Sequence, residues 1–506
     1  MTKYILGIDI GTSGTKAMLL TTTGEVIAQK KDTYGFATPH PGWAEAKAED
    51  WLNAVTSLIR TLSAHVDDDD IVGIGIDGLY GGSGIPVNEM GEAIGPALIW
   101  MDRRATKETE QVKKEVAAAD LMETTANLAD PYYGYTKLMW LKKHRPELYQ
   151  TTKTFLPPES YVIAKLTGQT SINYSAAGNL GGVYDINHGT WSKAMADRLG
   201  LDIDKLPQTF VTSTEPAGYV LESWAERLGL KAGTPVFNTG VDVGPATVGT
   251  GVLAPGKVTV ALGTSMNAAL VTKEPARDKD LIVWPYAYKP AEYFYNFAGA
   301  NTAGAIIAWF VEEFANEFSK ETGPAELDVL SQQVPAGSNG LLVLPYFMGE
   351  RSPLWDSTVR GTIFGLSLKT TRAEVYNAFQ EAIAYSVRQS IEQFGTEIGD
   401  TITLVGGVSA SSKMVQLIAD VTGKTVLTTE SGGEANLGSA ILAGIGLDLV
   451  DPADVSQWIK IDQQVSPNPE LRATYDAYFK MYKKAYNDIK DFYHEFSMVN
   501  ASQSLS

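Results

Sequence analysis

The chain has 506 residues, too many for one compact core, so two or three domains are expected. Its 59 acidic against 41 basic residues leave a net charge of −18, which argues against nonspecific binding to nucleic acid or to an anionic membrane. There is no cysteine, which excludes disulfides, thiolate catalysis and cysteine metal sites, and His40, His65, His144, His188 and His494 show no metal-ligand spacing.

The first element is "YILGIDI", a strand whose Asp9 must meet a partner or a polar cleft, because a dry, unpaired carboxylate costs too much. It runs into a turn of Gly11, Thr12, Ser13 and Gly14, with Thr15 and Lys16 beyond, and then into the strand "AMLL". Such a turn can wrap an anion through backbone amides, or it simply closes an ordinary β-hairpin. A third strand, "EVIAQKK", precedes a helix in which Trp51, Val55, Leu58, Ile59 and Leu62 recur at helical spacing. The acidic run Asp67 to Asp70 reads as a solvated turn before the strand "IVGIGIDGL". This order predicts an α/β layered domain. Residues 106–123, 136–145 and 157–166 read as helices, and "GTPVFNTGVD" as a strand ending in the carboxylate of Asp242. No window approaches 18 uninterrupted apolar residues, and no basic-then-apolar leader precedes the first strand, so a cytoplasmic protein without membrane contact is expected.

The opening grammar then returns. "GKVTVALGTSMNAALVTKEP" at 256–275 is again strand, Gly-Thr-Ser turn, strand, followed by the helices "NTAGAIIAWFVEEFANEF" and "TRAEVYNAFQEAIAYSVRQSIEQF", the strand "TITLVGGVSAS" and the helix "SKMVQLIADVTG". Two such units predict a duplicated fold whose turns face each other across a cleft, a natural place for a polyphosphate.

"DIGTSGTK" at 9–16, "IWMDRR" at 99–104, "KLMWLKKHRPE" at 137–147, "GVDVGPATVGTG" at 240–251, "ALGTS" at 261–265, "GERSPLWDSTVRGTIFGL" at 349–366 and "GGVSASSKMVQLIADVTGKTV" at 406–426, joined to "EANLGSAILAG", together resemble the FGGY family of carbohydrate kinases. The resemblance covers residues 3–450. It implies two ribonuclease H-like (actin-like ATPase) α/β domains facing across a catalytic cleft: 1–245 with the sugar and the first phosphate loop, 246–450 with the nucleotide, and 451–506 as a helical extension on the second domain.

The resemblance also implies ATP as phosphoryl donor and Mg²⁺ as its ion. Asp9 would hold the metal through its water shell. Gly11, Thr12, Ser13, Thr15 and Lys16 would form one phosphate loop, and Gly263, Thr264 and Ser265 the opposing clamp. Asn301 and Gly304, at a helix N-terminus, would present amides to an anion. Gly406, Gly407 and Ser411 would line the adenosine pocket. Asp242 is placed as the base that takes a proton from a sugar hydroxyl; on local evidence alone it reads first as a helix N-cap. Trp100 and Asp102 would hold the polyol, with Arg103 and Arg104 either ligands or surface residues, and Tyr132 and Tyr133 either aromatic contacts or packing. In the "GERSPLWDSTVRG" loop, read as architectural, Glu350 and Arg351 can pair, as can Asp356 and Arg360.

The chain departs from the xylulokinase pattern at 78–82. "GLYGG" stands where Gly-Gln-Met-His-Gly is usual, so the sugar-contacting imidazole is missing; the His-Ser pair of gluconate kinases and the Arg-Glu of glycerol kinases are absent too. Either the glycine patch of Gly81, Gly82 and Gly84 opens space for a differently shaped polyol, or Tyr80 supplies the missing hydrogen bond. A ketopentose such as D-xylulose is the expected substrate, with gluconate or another pentitol or ketose as the alternative. A small sugar is the only partner implied, and a homodimer is compatible with it. A non-catalytic actin-like nucleotide-binding protein is the reading from a different class.

Overall fold

The computed structural model describes residues 2–277, 280–395, 398–430 and 434–503. The first half is built on six strands: β1 (Tyr4–Ile10), β2 (Gly14–Thr21), β3 (Val26–Thr33), β4 (Ile71–Gly78), β5 (Pro216–Tyr219) and β6 (Pro235–Val241), in spatial order β5-β6-β4-β1-β2-β3. β1, β2 and β3 pair antiparallel, while β4 and β6 extend the sheet parallel to β1. The second half repeats this plan with β7 (Val258–Leu262), β8 (Met266–Thr272), β9 (Ile282–Pro285), β10 (Phe294–Ala300), β11 (Thr401–Val405), β12 (Thr425–Thr429) and β13 (Ile461–Val465), ordered β9-β10-β8-β7-β11-β12-β13. Again a hairpin and one further antiparallel strand meet two parallel ones. The expected duplication is present in the topology.

Strand alternation decides what each face of the first sheet does. Leu6, Ile8 and Ile10 of β1 pack with α1 (Ala48–Ser63), through Trp51, Val55, Ile59 and Leu62. Ile5, Gly7 and Asp9 point the other way. There they meet a helix from the far end of the chain, α8 (Ala435–Gly446), after α2 (Gly134–His144), α3 (Pro158–Thr167), α4 (Val243–Val248), α5 (Gly304–Phe314), α6 (Arg372–Glu392) and α7 (Ser412–Thr422). A Cβ on Gly7 would lie 1.8 Å from the Asn436 carbonyl oxygen, one on Gly75 2.1 Å from that of Ser439, and one on Gly438 1.8 Å from that of Pro245. Three glycines thus let α8 lie directly on β1, β4 and α4. A cut at residue 245 leaves α8 with the second half in sequence, yet it roofs the first sheet.

Two readings need correction. The span 106–123 is two helices, Thr106–Glu115 and Ala118–Thr125, because Val116 takes an extended conformation between them. The tail is not purely helical: β13 pairs antiparallel with β12 and completes the sheet edge before the long helix α9 (Arg472–Gln503). Its polar sequence "IDQQV" has no apolar alternation to announce a strand. Among the described residues, no helix is long and apolar enough to cross a membrane.

Candidate active site

Elements of both halves meet at one place. Asp9 and Lys16 from the first hairpin, Asp242 and Val243 at the β6–α4 junction, and Gly406, Glu434 and Ala435 from the second half line one cavity of about 390 Å³. Asp242 follows β6, and its amide donates to the carbonyl of Gly78 (3.0 Å), so the strand ends where β4 ends. Its Oδ1 accepts from the Val243 amide at 2.7 Å, the N-cap geometry of α4. The cap reading holds for Oδ1, and that bond does not preclude a second role for the carboxylate. Burial first, and the charge of Asp9 second, push Asp242 up to about 7.

Asp9 has a partner that sequence reasoning missed. Asp77 sits opposite it in register on β4, buried, and accepts from the Ser439 hydroxyl of α8 at 2.5 Å. Burial and the charge of Asp9 hold Asp77 well above the usual carboxylate range. Its Oδ1 has no hydrogen-bond partner. Asp9, Asp242 and Glu434 line the cavity with Lys16 as its cation, and Asp77 stands beside Asp9 in register, a gathering of carboxyls that suits a divalent ion. No cluster of three or more His, Cys, Asp or Glu among the described residues could grip a metal outright. The arrangement fits an ion that keeps most of its waters, as Mg²⁺ does.

The two turns are less alike in detail than in sequence. In the first, the Trp100 Nε1–H donates to Thr12 Oγ1 at 3.0 Å, and Tyr34 donates to the Gly11 carbonyl at 2.8 Å. Thr15 is buried with its hydroxyl 3.0 Å from the Tyr34 oxygen, so it braces the turn from behind instead of facing a phosphate. Ser13 is exposed. In the second, a Cβ on Gly263 would meet nothing within 4 Å, nor would one on Gly407: both backbones border open space. Gly406 has φ +94°, and a Cβ there would lie 2.4 Å from the Leu262 carbonyl, so glycine is required.

The helix N-terminus at Gly304 does not offer its amides to an anion. Ala303 and Ala305 donate to the Thr264 carbonyl and Gly304 to that of Gly263 (2.9 Å), which docks α5 on the second turn. The Asn301 amide is likewise occupied, donating to Glu350 Oε1 at 2.8 Å. Ser411 N-caps α7 and donates to Asp328 Oδ2 at 2.6 Å. Asn301, Gly304 and Ser411 are thus tied into the protein's own hydrogen bonding.

Asp102 is corrected more sharply. It is fully buried, Oδ2 accepts from the Ala44 amide at 2.7 Å, and Arg104 donates to both oxygens from Nε (2.9 Å) and to Oδ2 from Nη2 (2.7 Å). The Arg104 guanidinium lies 3.6 Å from the Trp43 ring centroid and 4.9 Å from that of Trp140. Both carboxylate oxygens are saturated inside the protein, so Asp102 is the anchor of a buried cation and not a polyol ligand. Asp102→Asn is expected to cost about 2 kcal/mol of stability by leaving that cation with Glu45, 2.8 Å away, as its one remaining carboxylate partner. Thermal denaturation should show it, while the KM for sugar stays within about threefold of the parent.

Tyr133 is also structural. Its hydroxyl donates to Asn127 Oδ1 at 2.7 Å, and Asn127 ties on to the Val283 carbonyl of β9. The ring that reaches the site is Tyr132: a Cβ on Gly81 would lie 2.8 Å from Tyr132 Cζ and 3.1 Å from Trp100 Cβ. The glycine patch therefore opens no room for a larger sugar. Gly82 lies under the Leu98 carbonyl and Gly84 against Leu156, so these glycines are close-approach positions already filled by neighbours. Buried Lys137 staples the region, donating to the carbonyls of Gly81 (2.7 Å), Pro131 (3.0 Å) and Tyr132 (2.6 Å). Tyr80 is buried at the end of β4, and its hydroxyl has no protein hydrogen-bond partner among the described residues.

In the 349–361 loop neither expected ion pair forms. Glu350 Oε1 accepts from the Asn301 and Arg351 amides, and Arg360 donates to the Ser357 and Val359 carbonyls. Asp356 instead accepts from Thr358 and lies 2.9 Å from His494 Nε2 of α9, which fastens the loop to the tail.

The FGGY family of carbohydrate kinases matches with its N-terminal domain over residues 4–249 and with its C-terminal domain over 258–447. A xylulose kinase of Bacillus subtilis is 30% identical, over 97% of this chain and 98% of the relative, and a gluconokinase of the same organism is 27% identical over 90% of each. The crystal structure of a ligand-bound xylulose kinase from Lactobacillus acidophilus superposes with a TM-score of 0.91 at 24% identity, covering 98% of this chain and 100% of that one.

Proposed function

We propose that this chain, which belongs to the FGGY family of carbohydrate kinases and is an ATP-dependent sugar kinase, phosphorylates a ketopentose such as D-xylulose with Asp242 as general base. The observation that carries the reading is the single cavity that joins Asp9, Lys16 and Asp242 of one half to Gly406 of the other. A sugar hydroxyl beside Asp242 Oδ2 loses its proton to that carboxylate as its oxygen bonds to the γ-phosphorus, and the β–γ bridging bond breaks with its electron pair leaving on ADP. Asp9 would hold Mg²⁺ through its waters, and the ion when bound supplies neutralisation of phosphate charge. Thr12, Ser13, Lys16 and the backbone at Gly263 and Gly407 would flank the phosphates. Tyr80, Trp100 and Tyr132 would border the sugar.

The ketopentose choice rests on the relatives named xylulose kinase; gluconate is the second reading, favoured by the gluconokinase relative. Steady-state kcat/KM for D-xylulose, D-ribulose and D-gluconate decides between them. Xylulose should exceed gluconate by at least about tenfold; the reverse order overturns the choice.

Asp242 near 7 also sets a pH dependence. The base works only when deprotonated, so kcat/KM for the sugar should rise about tenfold per pH unit below 7 and level off above it. A flat profile between pH 5.5 and 8.5 would count against Asp242 as the base.

A further inference from the structure

One carboxylate at the cavity between the halves has no part in the kinase reading. Glu434 lines that cavity together with Asp9, Lys16 and Asp242. It stands at the N-cap of α8, where an acidic side chain ordinarily caps, yet it makes no capping hydrogen bond. Its Oε2 accepts instead from Gln29 Nε2 of β3 at 2.9 Å, which holds the carboxylate at the cavity wall. Lys16, the cation of the lining, forms no ion pair with Glu434, Asp9 or Asp242 among the described residues. Lys31, whose Cε would lie 3.1 Å from a Cβ on Gly14, does not line the cavity. Asp77, fully buried beside Asp9 in register, adds an Oδ1 that no protein group satisfies.

A wall with three carboxyls and one ammonium is hostile to a bare polyphosphate, and a cation entering with the phosphates reverses the sign of the interaction. No three acids among the described residues stand close enough to grip an ion directly. An ion that keeps its waters presents O–H donors instead, which carboxylates set apart from one another can share. We propose that Glu434 makes the cavity select the metal-bound nucleotide: with Asp9 it accepts hydrogen bonds from the ion's water shell, and without the ion it repels the phosphates. This rests on the kinase reading above. Gln29 acts through Glu434 as a positioning residue, since its amide fixes where the carboxylate stands.

The test needs no turnover. Calorimetry of the full chain gives the Kd for ADP with saturating Mg²⁺ and with a chelator, and the ratio of the two is the coupling between ion and nucleotide. In the parent Mg²⁺ should tighten ADP binding about 100-fold, and Glu434→Gln should cut that factor about tenfold, in part by binding metal-free ADP more tightly. Gln29→Ala, which only frees the carboxylate, should cut it about threefold. The Gln side chain keeps the size of Glu434 and can still accept from Gln29, so its thermal midpoint should stay within a few degrees of the parent. A ratio in Glu434→Gln within about twofold of the parent's overturns the assignment, as does a parent whose ADP affinity ignores Mg²⁺. An equal loss of ADP affinity with and without the ion also overturns it, because Glu434 would then serve the fold or the nucleotide itself. If the parent shows no sugar-dependent turnover, the kinase reading fails, and the two ADP titrations still judge Glu434 alone.

Discussion

Asp242→Asn is expected to lower kcat with the best sugar by about 10²- to 10⁴-fold while leaving nucleotide affinity nearly unchanged. The amide keeps the size of the side chain and can still accept from the Val243 amide, so the N-cap of α4 survives. What disappears is the proton acceptor at Oδ2. Loss of the charge also relieves Asp9, so the protein should be no less stable than the parent. Turnover within tenfold of the parent would reduce Asp242 to a helix cap and move the base elsewhere.

Gly438→Ala is expected to be severely destabilising. A Cβ there falls 1.8 Å from the Pro245 carbonyl oxygen and 3.0 Å from the Gly249 amide nitrogen, backbone on both sides, so no side chain can swing away. The clash separates α8 from α4, and with it Ser439 from Asp77 and Thr239. Overpacking against backbone costs more than the usual 1–3 kcal/mol, here about 4 kcal/mol or more, enough to remove a large share of the stability of a typical domain. Soluble yield and thermal midpoint should both fall steeply. A variant that melts within a few degrees of the parent would mean that α8 can lift from the first sheet at little cost.

These two results probe what was and was not legible in the sequence. Local pattern announced the paired hairpins, the long helices and the carboxylate at the end of β6, because strand alternation, Gly-Thr-Ser turns and helical spacing are written in neighbouring residues. Long-range contact was not written there. The side-chain space beside Gly81 is taken by Tyr132, 51 positions away, so a glycine that reads as room is an occupied surface. The amides of Ala303 and Gly304 are engaged by the second turn, which a helix N-terminus in isolation cannot reveal. Asp102 beside two arginines reads as a ligand until Ala44 and Arg104 are seen to saturate it. Asp77 carried a signal that could have found it, an aspartate at the end of a second apolar strand, the same grammar that singled out Asp9 and Asp242.

The most direct measurement of the central claim is phosphorus NMR of the full chain mixed with ATP, Mg²⁺ and D-xylulose, with a parallel sample lacking sugar. Transfer to a sugar hydroxyl predicts ADP and one new phosphomonoester resonance in equal amounts, only where sugar is present. ADP with inorganic phosphate at the same rate in both samples would contradict it.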